Sequence, residues 1–308
     1  MRHGILAPGG VGGLIGAVLA DAGEEVTLIV RPGTETLYPR AILLESPFRN
    51  LRATVGLTAH PEEPLDLLWV TVKGTQLESA VKQILGHAQV ARVVPLLNGI
   101  DHIAWLRGEF GQEQVIPATI AVESERVAPG KIVHRSPFIR LGVLENEKSR
   151  LVPILEIFRR FGFECLFVQD EPTLLWSKLV FLAPVALSTA AARSSIGEVL
   201  ADSARAALLE TSVAEACAVA IRSGAKVDAE AVLARIKSLP PNMRSSMERD
   251  IANGNAPELD AIAGPILRRA KKFEITLKAI PALFEAVSQS AHPSANSGAA
   301  ARWARPID

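Results

Sequence analysis

The stretch "GILAPGGVGGLIGAVLADAG", residues 4–23, decides the fold of the chain. The apolar run 5–7 predicts a strand, the glycines that follow predict a turn, and residues 11–22 carry a helical pattern. A strand, a glycine turn and a helix in this order open a βαβ unit. The N-terminus of such a helix presents unpaired N–H groups and a partial positive charge, which suit a pyrophosphate.

The glycines follow the G-x-G-x-x-G fingerprint of dinucleotide-binding turns, except that Ala7 stands at the first position. Gly9 lets the backbone approach the phosphates, and Gly12 lets the helix pack closely on the strand. We therefore predict that Gly9, Gly10, Val11 and Gly12 bind a nucleotide cofactor. Because alanine resists the positive φ of a tight turn, a glycine-rich structural turn without a ligand is the alternative.

Short apolar runs alternate with helical patterns through the first half of the chain, which predicts a parallel α/β sheet covered on both faces. The predicted strands are 5–7, 26–30, 67–72, 93–97 and 115–117, and the clearest helices are 11–22 and 77–85. Residues 131–143 predict two further strands around a Ser-Pro turn, added antiparallel at the sheet edge. A helix at 150–161 and a strand at 164–168 complete this domain.

The pattern changes after Gln169, where apolar residues recur at helical spacing and strand-like alternation stops. The predicted helices are 174–191, 204–223, 229–237 and 262–270. The predicted fold class is α/β: a Rossmann-type doubly wound sheet in residues 1–169, followed by an all-helical domain in residues 170–290. Residues 291–308, small and polar with two prolines, predict a loosely held tail.

The charge and cysteine content narrow the classes of function. The 33 basic residues balance 33 acidic ones, so nothing supports a nucleic-acid binder, which would carry a basic excess. The two cysteines, without a CxxC motif, fit a reducing cytosol and argue against a disulfide framework or a structural zinc site, and we expect no metal. A strand that starts near Met1 leaves no room for a signal peptide, and the apolar stretches are too short for a membrane span. We expect a soluble cytoplasmic protein.

Polar residues follow three successive predicted strands, at the edge where open α/β sheets bind their ligands. Arg31 stands after the second strand, where NAD-specific folds place a carboxylate for the ribose hydroxyl, so a cation there favours the 2′-phosphate of NADP. Lys73 and Gln76 follow the third strand, and Asn98 follows the fourth. We predict that all four contact the cofactor NADP(H). The alternatives are a solvated arginine and ordinary loop residues.

Taken together, the motifs resemble those of the ketopantoate reductase family of NADPH-dependent 2-dehydropantoate 2-reductases, from the glycine turn to about residue 288. The matching motifs are the glycine turn, Arg31, "VKGTQ" at 72–76, "NG" at 98–99, "LLWSKLV" with Lys178, "RSSMERD" at 244–250 and "PELDAIAG" at 257–264. This set is far more specific than a glycine turn alone.

The resemblance implies a two-domain enzyme with its site between the domains, where NADPH reduces a small-molecule 2-keto acid. Lys178 would donate a proton to the carbonyl oxygen, and Glu258 would hold the substrate's hydroxyl and support the lysine. Ser246 would bind the carboxylate, and Asn98 would help to position substrate or nicotinamide. Asp250 shares a helix face with Ser246 and is a further substrate-binding candidate. The alternatives are a surface lysine, a helix cap and a solvated helix face.

The chain departs from the family pattern four and eight residues after Lys178. The family carries substrate-binding asparagines there, whereas this chain has Leu182 and Ala186, which by helical spacing share the face of Lys178 and should line the same site. Apolar side chains thus replace two amides, which weakens the preference for a hydroxylated substrate. Pro184, between them, is expected to break or kink the helix.

The default substrate is therefore 2-dehydropantoate, reduced to pantoate for pantothenate biosynthesis, and a more apolar 2-keto acid is the main rival. A non-catalytic NADP-sensing protein on the same fold is the alternative function, although it would have no use for Lys178 and Glu258. A dehydrogenase similar to 6-phosphogluconate dehydrogenase is disfavoured by the serine and acidic motifs. The resemblance also leaves room for a homodimer through the helical domain, with helices 204–223 and 262–270 as candidate surfaces.

Overall fold

The computed structural model of the chain describes residues 1–290, so the predicted tail 291–308 lies outside the described residues. The chain divides into two units. The first comprises residues 1–97 and 102–169, and the second comprises, of the described residues, 98–101 and 170–290. A short segment from the first half of the sequence thus belongs to the helical unit.

The first unit contains strands and helices in alternation. Its strands are β1 (Arg2–Leu6), β2 (Glu25–Ile29), β3 (Ala41–Glu45), β4 (Leu51–Thr54), β5 (Gly56–Thr58), β6 (Leu67–Val70), β7 (Val93–Pro95), β8 (Ala118–Ala121), β9 (Ser124–Ala128), β10 (Lys131–His134), β11 (Ile139–Leu144) and β12 (Phe163–Val168). Its α-helices are α1 (Gly10–Asp21), α2 (Leu77–Val81), α3 (His102–Phe110) and α4 (Lys148–Phe161). Short 3-10 turns cover residues 35–37, 74–76 and 145–147.

The centre of the first unit is a five-stranded parallel sheet in the order β5-β2-β1-β6-β7. β1 lies in the middle, where Ile5 pairs with Leu28 of β2 and with Trp69 of β6. All three side chains are buried, as expected for the interior of a parallel sheet. The predicted parallel sheet is confirmed. Because the strands run in one direction, the loops that follow β1, β2, β6 and β7 leave the same edge of the sheet.

Helix α1 is buried between two layers of strands. It packs against β1 and β2 of the parallel sheet, and against all strands of a four-stranded sheet in the order β4-β3-β10-β9. This explains why the helix carries a charge only at its last residue, Asp21. A helix held on two sides gives rigid support to the glycine turn that precedes it.

The antiparallel strand pair predicted in residues 131–143 is wrong in its pairing. β10 pairs with β3 and β9, whereas β11 lies in a separate three-stranded sheet of order β12-β11-β8, and neither strand is at a sheet edge. The partners β3 and β12 come from other parts of the sequence, which an alternation pattern does not reveal. The strand predicted at 115–117 begins instead at Ala118, and Val115 makes only an isolated bridge with Val93.

The described part of the second unit is built from helices, and α5 is its central one. The helices are α5 (Glu171–Ala192), α6 (Ile196–Ala201), α7 (Ser203–Arg222), α8 (Ala229–Lys237), α9 (Ser246–Ala252), α10 (Leu259–Lys272) and α11 (Ala279–Ser290). α5 packs against each of the others. It is long and apolar enough to cross a membrane, but 72% of its most apolar window is buried inside the protein. This burial is typical of a core helix.

Helix α5 begins at a side-chain cap and continues through Pro184. The Asp170 carboxylate accepts a hydrogen bond from the Thr173 N–H at 2.8 Å, and Pro172 stands in the first turn, where a missing N–H costs little. The expected break at Pro184 is not observed, since the helix is continuous through Ala192. Pro184 is buried, and packing against the surrounding helices outweighs the loss of one backbone hydrogen bond.

Candidate active site

The glycine-rich turn holds Ala7 in the left-handed region, with φ at +57°. The Ala7 N–H donates to the carbonyl of Ile29 at 2.9 Å, and the Ala7 carbonyl accepts from the Gly9 N–H at 2.7 Å. The hydroxyl of Thr71 donates to the carbonyl of Leu6 at 3.1 Å. These bonds impose on alanine a conformation that glycine adopts freely, at a cost of about 1–2 kcal/mol. The turn therefore keeps the backbone path expected of glycine at this position.

The glycines that follow Ala7 have different surroundings. A Cβ atom on Gly9 would point into open space, with no non-neighbouring atom nearer than 4.0 Å. On Gly10 it would collide with the backbone of Ser124, and on Gly12 it would collide with the side chain of Thr71. Gly9 therefore leaves room for a ligand, whereas Gly10 and Gly12 are required for close packing.

The N-terminus of α1 is suited to an anion. Gly9 provides no capping side chain, and the first turn, which includes Val11, contains no acidic residue. The backbone N–H groups of a first helical turn have no partners within the helix and carry partial positive charge. Together with the space beside Gly9, this arrangement fits the pyrophosphate of a dinucleotide.

A cavity of about 300 Å³ lies beyond the ends of β1 and β2. It is lined by Leu6, Ala7, Ile29, Val30, Arg31, Pro32, Gln76, Ser79, Ala80 and Gln83. Arg31 is the one charged residue in this lining, which contains no carboxylate, so a phosphate group would meet attraction and no repulsion. The structure thus brings the predicted cofactor residues Arg31 and Gln76 to one cavity. Lys73 is also predicted to contact the cofactor and stands three residues before Gln76 in the sequence. Its side chain is exposed and does not line this cavity.

Lys178 lies in the second unit on α5, followed by the buried residues Leu179 and Val180. Burial lowers the pKa of Lys178 to about 8, while the carboxylate of Glu258 opposes this shift. At neutral pH the ammonium group is therefore still charged, yet it releases its proton much more readily than an exposed lysine does. These are the properties of a general acid.

Asn98 and Glu258 meet in the same unit, although 160 residues separate them in the sequence. Glu258 is the N-cap residue of α10, and its Oε2 accepts a hydrogen bond from Nδ2 of Asn98 at 3.1 Å. Gly99, with φ at +82°, lies against the carbonyl of Ala261 in the first turn of α10, where any side chain would collide. The segment 98–101 thus adds an amide to the unit that carries Lys178.

The serine motif places its two serines in different environments. Ser245 is buried and caps α9, and its hydroxyl accepts a hydrogen bond from the Thr189 hydroxyl at 2.7 Å. Ser246 is the first residue of α9 and is exposed, while Asp250 is partly buried one helical turn later. Ser245 therefore has a structural role, and Ser246 presents its hydroxyl to the surface.

Comparison with known proteins assigns the family. The sequence model of "Ketopantoate reductase PanE/ApbA" matches residues 4–145, and that of "Ketopantoate reductase PanE/ApbA C terminal" matches residues 173–291. The chain belongs to the ketopantoate reductase family. It is therefore a nicotinamide-dependent oxidoreductase, and the fold class and family resemblance predicted from the sequence are confirmed.

Several ketopantoate reductases and other oxidoreductases are similar to almost the whole chain. A 2-dehydropantoate 2-reductase from Caulobacter vibrioides is 28% identical over 285 residues, which cover 89% of this chain and 94% of that protein. A PanE/ApbA family ketopantoate reductase from Ralstonia eutropha has a crystal structure with a TM-score of 0.83 at 26% identity, covering 94% of this chain and 98% of that one. The structure of D-mandelate dehydrogenase with NADH and anilino(oxo)acetate, at 20% identity and a TM-score of 0.84, covers 96% and 99% and shares the fold.

In this member of the ketopantoate reductase family, the two positions that depart from the family pattern differ in exposure. Leu182 is partly exposed on α5, one turn after Lys178, whereas Ala186 is fully buried. Ala186 thus offers no exposed surface in this structure, and its assignment to the substrate site stays a prediction. Helical spacing correctly relates a residue to one face of a helix but does not show where neighbouring helices cover that face.

The sequence motifs do not single out Asp101, Arg268 and Arg269. The Asp101 carboxylate accepts hydrogen bonds from both guanidinium groups, at distances between 2.6 and 3.1 Å. The available signals were weak: an aspartate just after the Asn98–Gly99 turn and two arginines in a predicted helix. Their meeting depends on the tertiary fold.

Proposed function

We propose that this member of the ketopantoate reductase family uses NADPH to reduce a 2-keto acid to the corresponding 2-hydroxy acid. The observation that carries the proposal is the grouping of Lys178, Glu258 and Asn98 in the second unit. A lysine with a pKa of about 8 suits general-acid catalysis of ketone reduction. The similarity to 2-dehydropantoate 2-reductases supports the reaction class.

Each residue of this group has a role that follows from its chemistry. NADPH, when bound, supplies a hydride to the keto carbon. The Lys178 ammonium stabilises the negative charge that develops on the keto oxygen and transfers a proton to it. Glu258 helps to keep Lys178 protonated before the reaction, because its carboxylate opposes the effect of burial. The amide of Asn98 holds that carboxylate by a hydrogen bond at 3.1 Å. Ser246, with Asp250 one turn away, is proposed to bind the substrate's carboxylate end.

NADPH is proposed over NADH because of the cavity beside Arg31. A dinucleotide with its pyrophosphate at Gly9 needs a partner for its ribose, which is a carboxylate for a free 2′-hydroxyl and a cation for a 2′-phosphate. The cavity lining offers a cation and no carboxylate. This composition supports NADPH as the preferred cofactor.

The proposed substrate is 2-dehydropantoate or a 2-keto acid with a more apolar side chain. Leu182 is partly exposed one turn from Lys178 and offers methyl groups where the family pattern has an amide. A hydroxyl of the substrate would gain no hydrogen bond there, whereas an apolar side chain would gain contact. This supports tolerance of apolar substrates.

The test measures consumption of NADPH by the purified protein with a panel of 2-keto acids: 2-dehydropantoate and acids with branched or aromatic side chains. We expect turnover of at least one acid, and Lys178→Met should lower kcat by roughly 100-fold or more with little change in NADPH affinity. The matched control is Lys237→Met, which removes an exposed lysine paired with Glu210 at 2.7 Å and should leave kcat unchanged. Tight NADPH binding without turnover of any acid would instead favour an NADP-sensing protein.

A further inference from the structure

A second group of charges anchors the segment 98–101, and the proposed catalytic roles do not use it. We call it the Asp101 cluster: Asp101, Asp260, Arg268 and Arg269. Oδ2 of Asp101 accepts hydrogen bonds from Nε and Nη2 of Arg268 at 3.1 and 2.8 Å, and Oδ1 accepts one from Nη1 of Arg269 at 2.6 Å. Both carboxylate oxygens are thus engaged, by two arginines that are neighbours in sequence. Paired contacts of this kind fix orientation as well as distance.

The Asp101 cluster is partly shielded from water. The Asp101 side chain is 14% exposed, and those of Arg268 and Arg269 are 29% and 30% exposed. Arg268 also donates from Nη1 to Oδ1 of Asp260 at 2.8 Å. Although burial acts against it, hydrogen bonds to Asp260 and Asp101 raise the pKa of Arg268, so the guanidinium stays charged. Removing one partner of a shielded ion pair disturbs a structure more than removing one from an exposed pair.

The Asp101 cluster ties the segment of Asn98 to the helix that Glu258 caps. Asp101 lies three residues after Asn98, whereas the other three members of the cluster lie on α10. Gly99 packs against the backbone of α10. In the sequence it stands between Asn98, which bonds to Glu258, and Asp101, which bonds to the two arginines. The hydrogen bond from Asn98 to Glu258 is therefore at one end of a short segment whose other end is held by Asp101.

The cluster also reaches α5. The guanidinium carbon of Arg269 lies 5.6 Å from the ring centre of Trp176. Trp176 is buried in α5, two residues before Lys178, and a cation over an indole ring is an attractive contact. Asp101 is thus connected, through side chains in contact, to each of the three segments that carry the proposed catalytic group.

We propose that Asp101 is a positioning residue for this group: through its arginine partners it fixes Asn98 on α10, so that the amide holds Glu258 in the orientation that acts on Lys178. The inference rests on the proposed function for the roles of these residues. The contacts themselves do not depend on that function, so the pKa of Lys178 can be used to test the positioning role without any turnover.

The kinetic part of the test compares Asp101→Asn, Asn98→Ala and the double variant. We expect each single substitution to lower kcat by roughly 10- to 100-fold, because small displacements of catalytic groups have effects of this size. The double variant should be no slower than Asn98→Ala alone, because Asp101 acts through Asn98. KM for NADPH should be unchanged by Asp101→Asn. Independent, multiplicative losses in the double variant would overturn the proposal.

The second part follows the NMR signal of the Lys178 side chain across pH, which requires no turnover. We expect a midpoint of about 8 in the native protein and a lower one in Asp101→Asn, because a displaced Glu258 no longer offsets the effect of burial. Asp101→Glu keeps the charge and should restore the midpoint in part. An unchanged midpoint in Asp101→Asn would overturn the proposal, even if no keto acid were turned over and the proposed function itself had failed.

The matched control is Glu164→Gln. It removes a carboxylate that is paired with Arg140 at 2.6 Å in the first unit, away from the Asp101 cluster in the sequence and in a different unit. This variant should change neither kcat nor the Lys178 midpoint. If it changed both as Asp101→Asn does, the effect would be a general loss of stability and the positioning role would be wrong.

Discussion

Lys178 is charged in the unfolded chain up to about pH 10.5, but in the folded protein it loses its proton at about pH 8. Between these two values the unfolded state binds more protons than the folded state, so stability rises with pH in this window. Below about pH 8 the full cost of keeping a buried ammonium group is present. The same burial that weakens the fold makes the lysine a ready proton donor, which is a common conflict between stability and activity.

We therefore expect Lys178→Met to lower kcat by roughly 100-fold or more and yet to raise the unfolding free energy at neutral pH by about 3 kcal/mol. This gain in unfolding free energy should decrease between pH 8 and 10.5, because in that interval the lysine of the native protein is buried without its charge. Calorimetric Tm values across this range provide the measurement, and Lys237→Met should show no such gain. A Lys178→Met protein less stable than the native one at neutral pH would show that burial of the charge is not costly here.

Leu182 and Ala186 replace the same kind of residue, but their different burial predicts different outcomes. Leu182→Asn should raise kcat/KM for 2-dehydropantoate relative to a branched apolar 2-keto acid by roughly 10-fold, because it returns an amide to a partly exposed position near Lys178. Ala186→Asn should instead lower the unfolding free energy by about 2 kcal/mol or more, because it puts a larger polar group into the core. Competition assays and urea unfolding measure these effects. An unchanged substrate ratio in Leu182→Asn would remove that residue from the substrate site.

At the scale of the element, the two neighbouring glycines at the start of α1 have different roles: Gly9 leaves room for the cofactor, and Gly10 allows close packing. Gly9→Ala places its methyl group in open space, so the fold should remain intact while NADPH affinity falls by roughly 10-fold or more. Gly10→Ala places a methyl group against the backbone of Ser124, which cannot move as a flexible side chain would, so stability should fall by about 2 kcal/mol. Thermal unfolding and cofactor titration distinguish the two. Equal loss of stability in both variants would contradict the assigned surroundings of Gly9.

The elements that the sequence predicts are those whose pattern is local. β1, α1 and β2 follow from apolar runs and a glycine turn. The observed bounds of α1 and β2 lie within one residue of the predicted ones, whereas β1 begins three residues earlier than predicted. β3 and β4 are not among the predicted strands. Residues 51–54 (LRAT) alternate between apolar and polar side chains, a signal that is present in the sequence, but residues 41–45 (AILLE) do not, because the exposed position 43 is also a leucine. The pairing of β10 and β11 was wrong because a pairing partner is a non-local property. The break expected at Pro184 is not observed for the same reason, since surrounding helices hold α5 together.

At the scale of the whole molecule, the sequence relates the proposed cofactor residues of the first unit to one another better than it relates the proposed catalytic residues of the second unit. The ends of parallel strands share one edge, so Gly9 and Arg31 could be related without knowledge of the fold. No pattern relates Asn98 to Glu258 across 160 residues, and only the family resemblance suggested both. The Asp101 cluster was suggested by neither, because its members meet only when the segment 98–101 packs on α10.

The division into two units predicts that cofactor binding and proton transfer can be lost separately, because Gly9 and Arg31 lie in the first unit and Lys178 in the second. Saturating NADPH should raise Tm equally in the native protein and in Lys178→Met. At an NADPH concentration of a hundred times Kd, the unfolding free energy should rise by about 2.7 kcal/mol in both. Arg31→Asp should lose most of this gain with NADPH and keep it with NADH, because an aspartate repels the 2′-phosphate and accepts hydrogen bonds from a ribose diol. Its kcat at saturating cofactor should be nearly native. An Arg31→Asp protein with unchanged preference would place the 2′-phosphate elsewhere, whereas a Lys178→Met protein that no longer gained stability from NADPH would show that binding depends on the second unit.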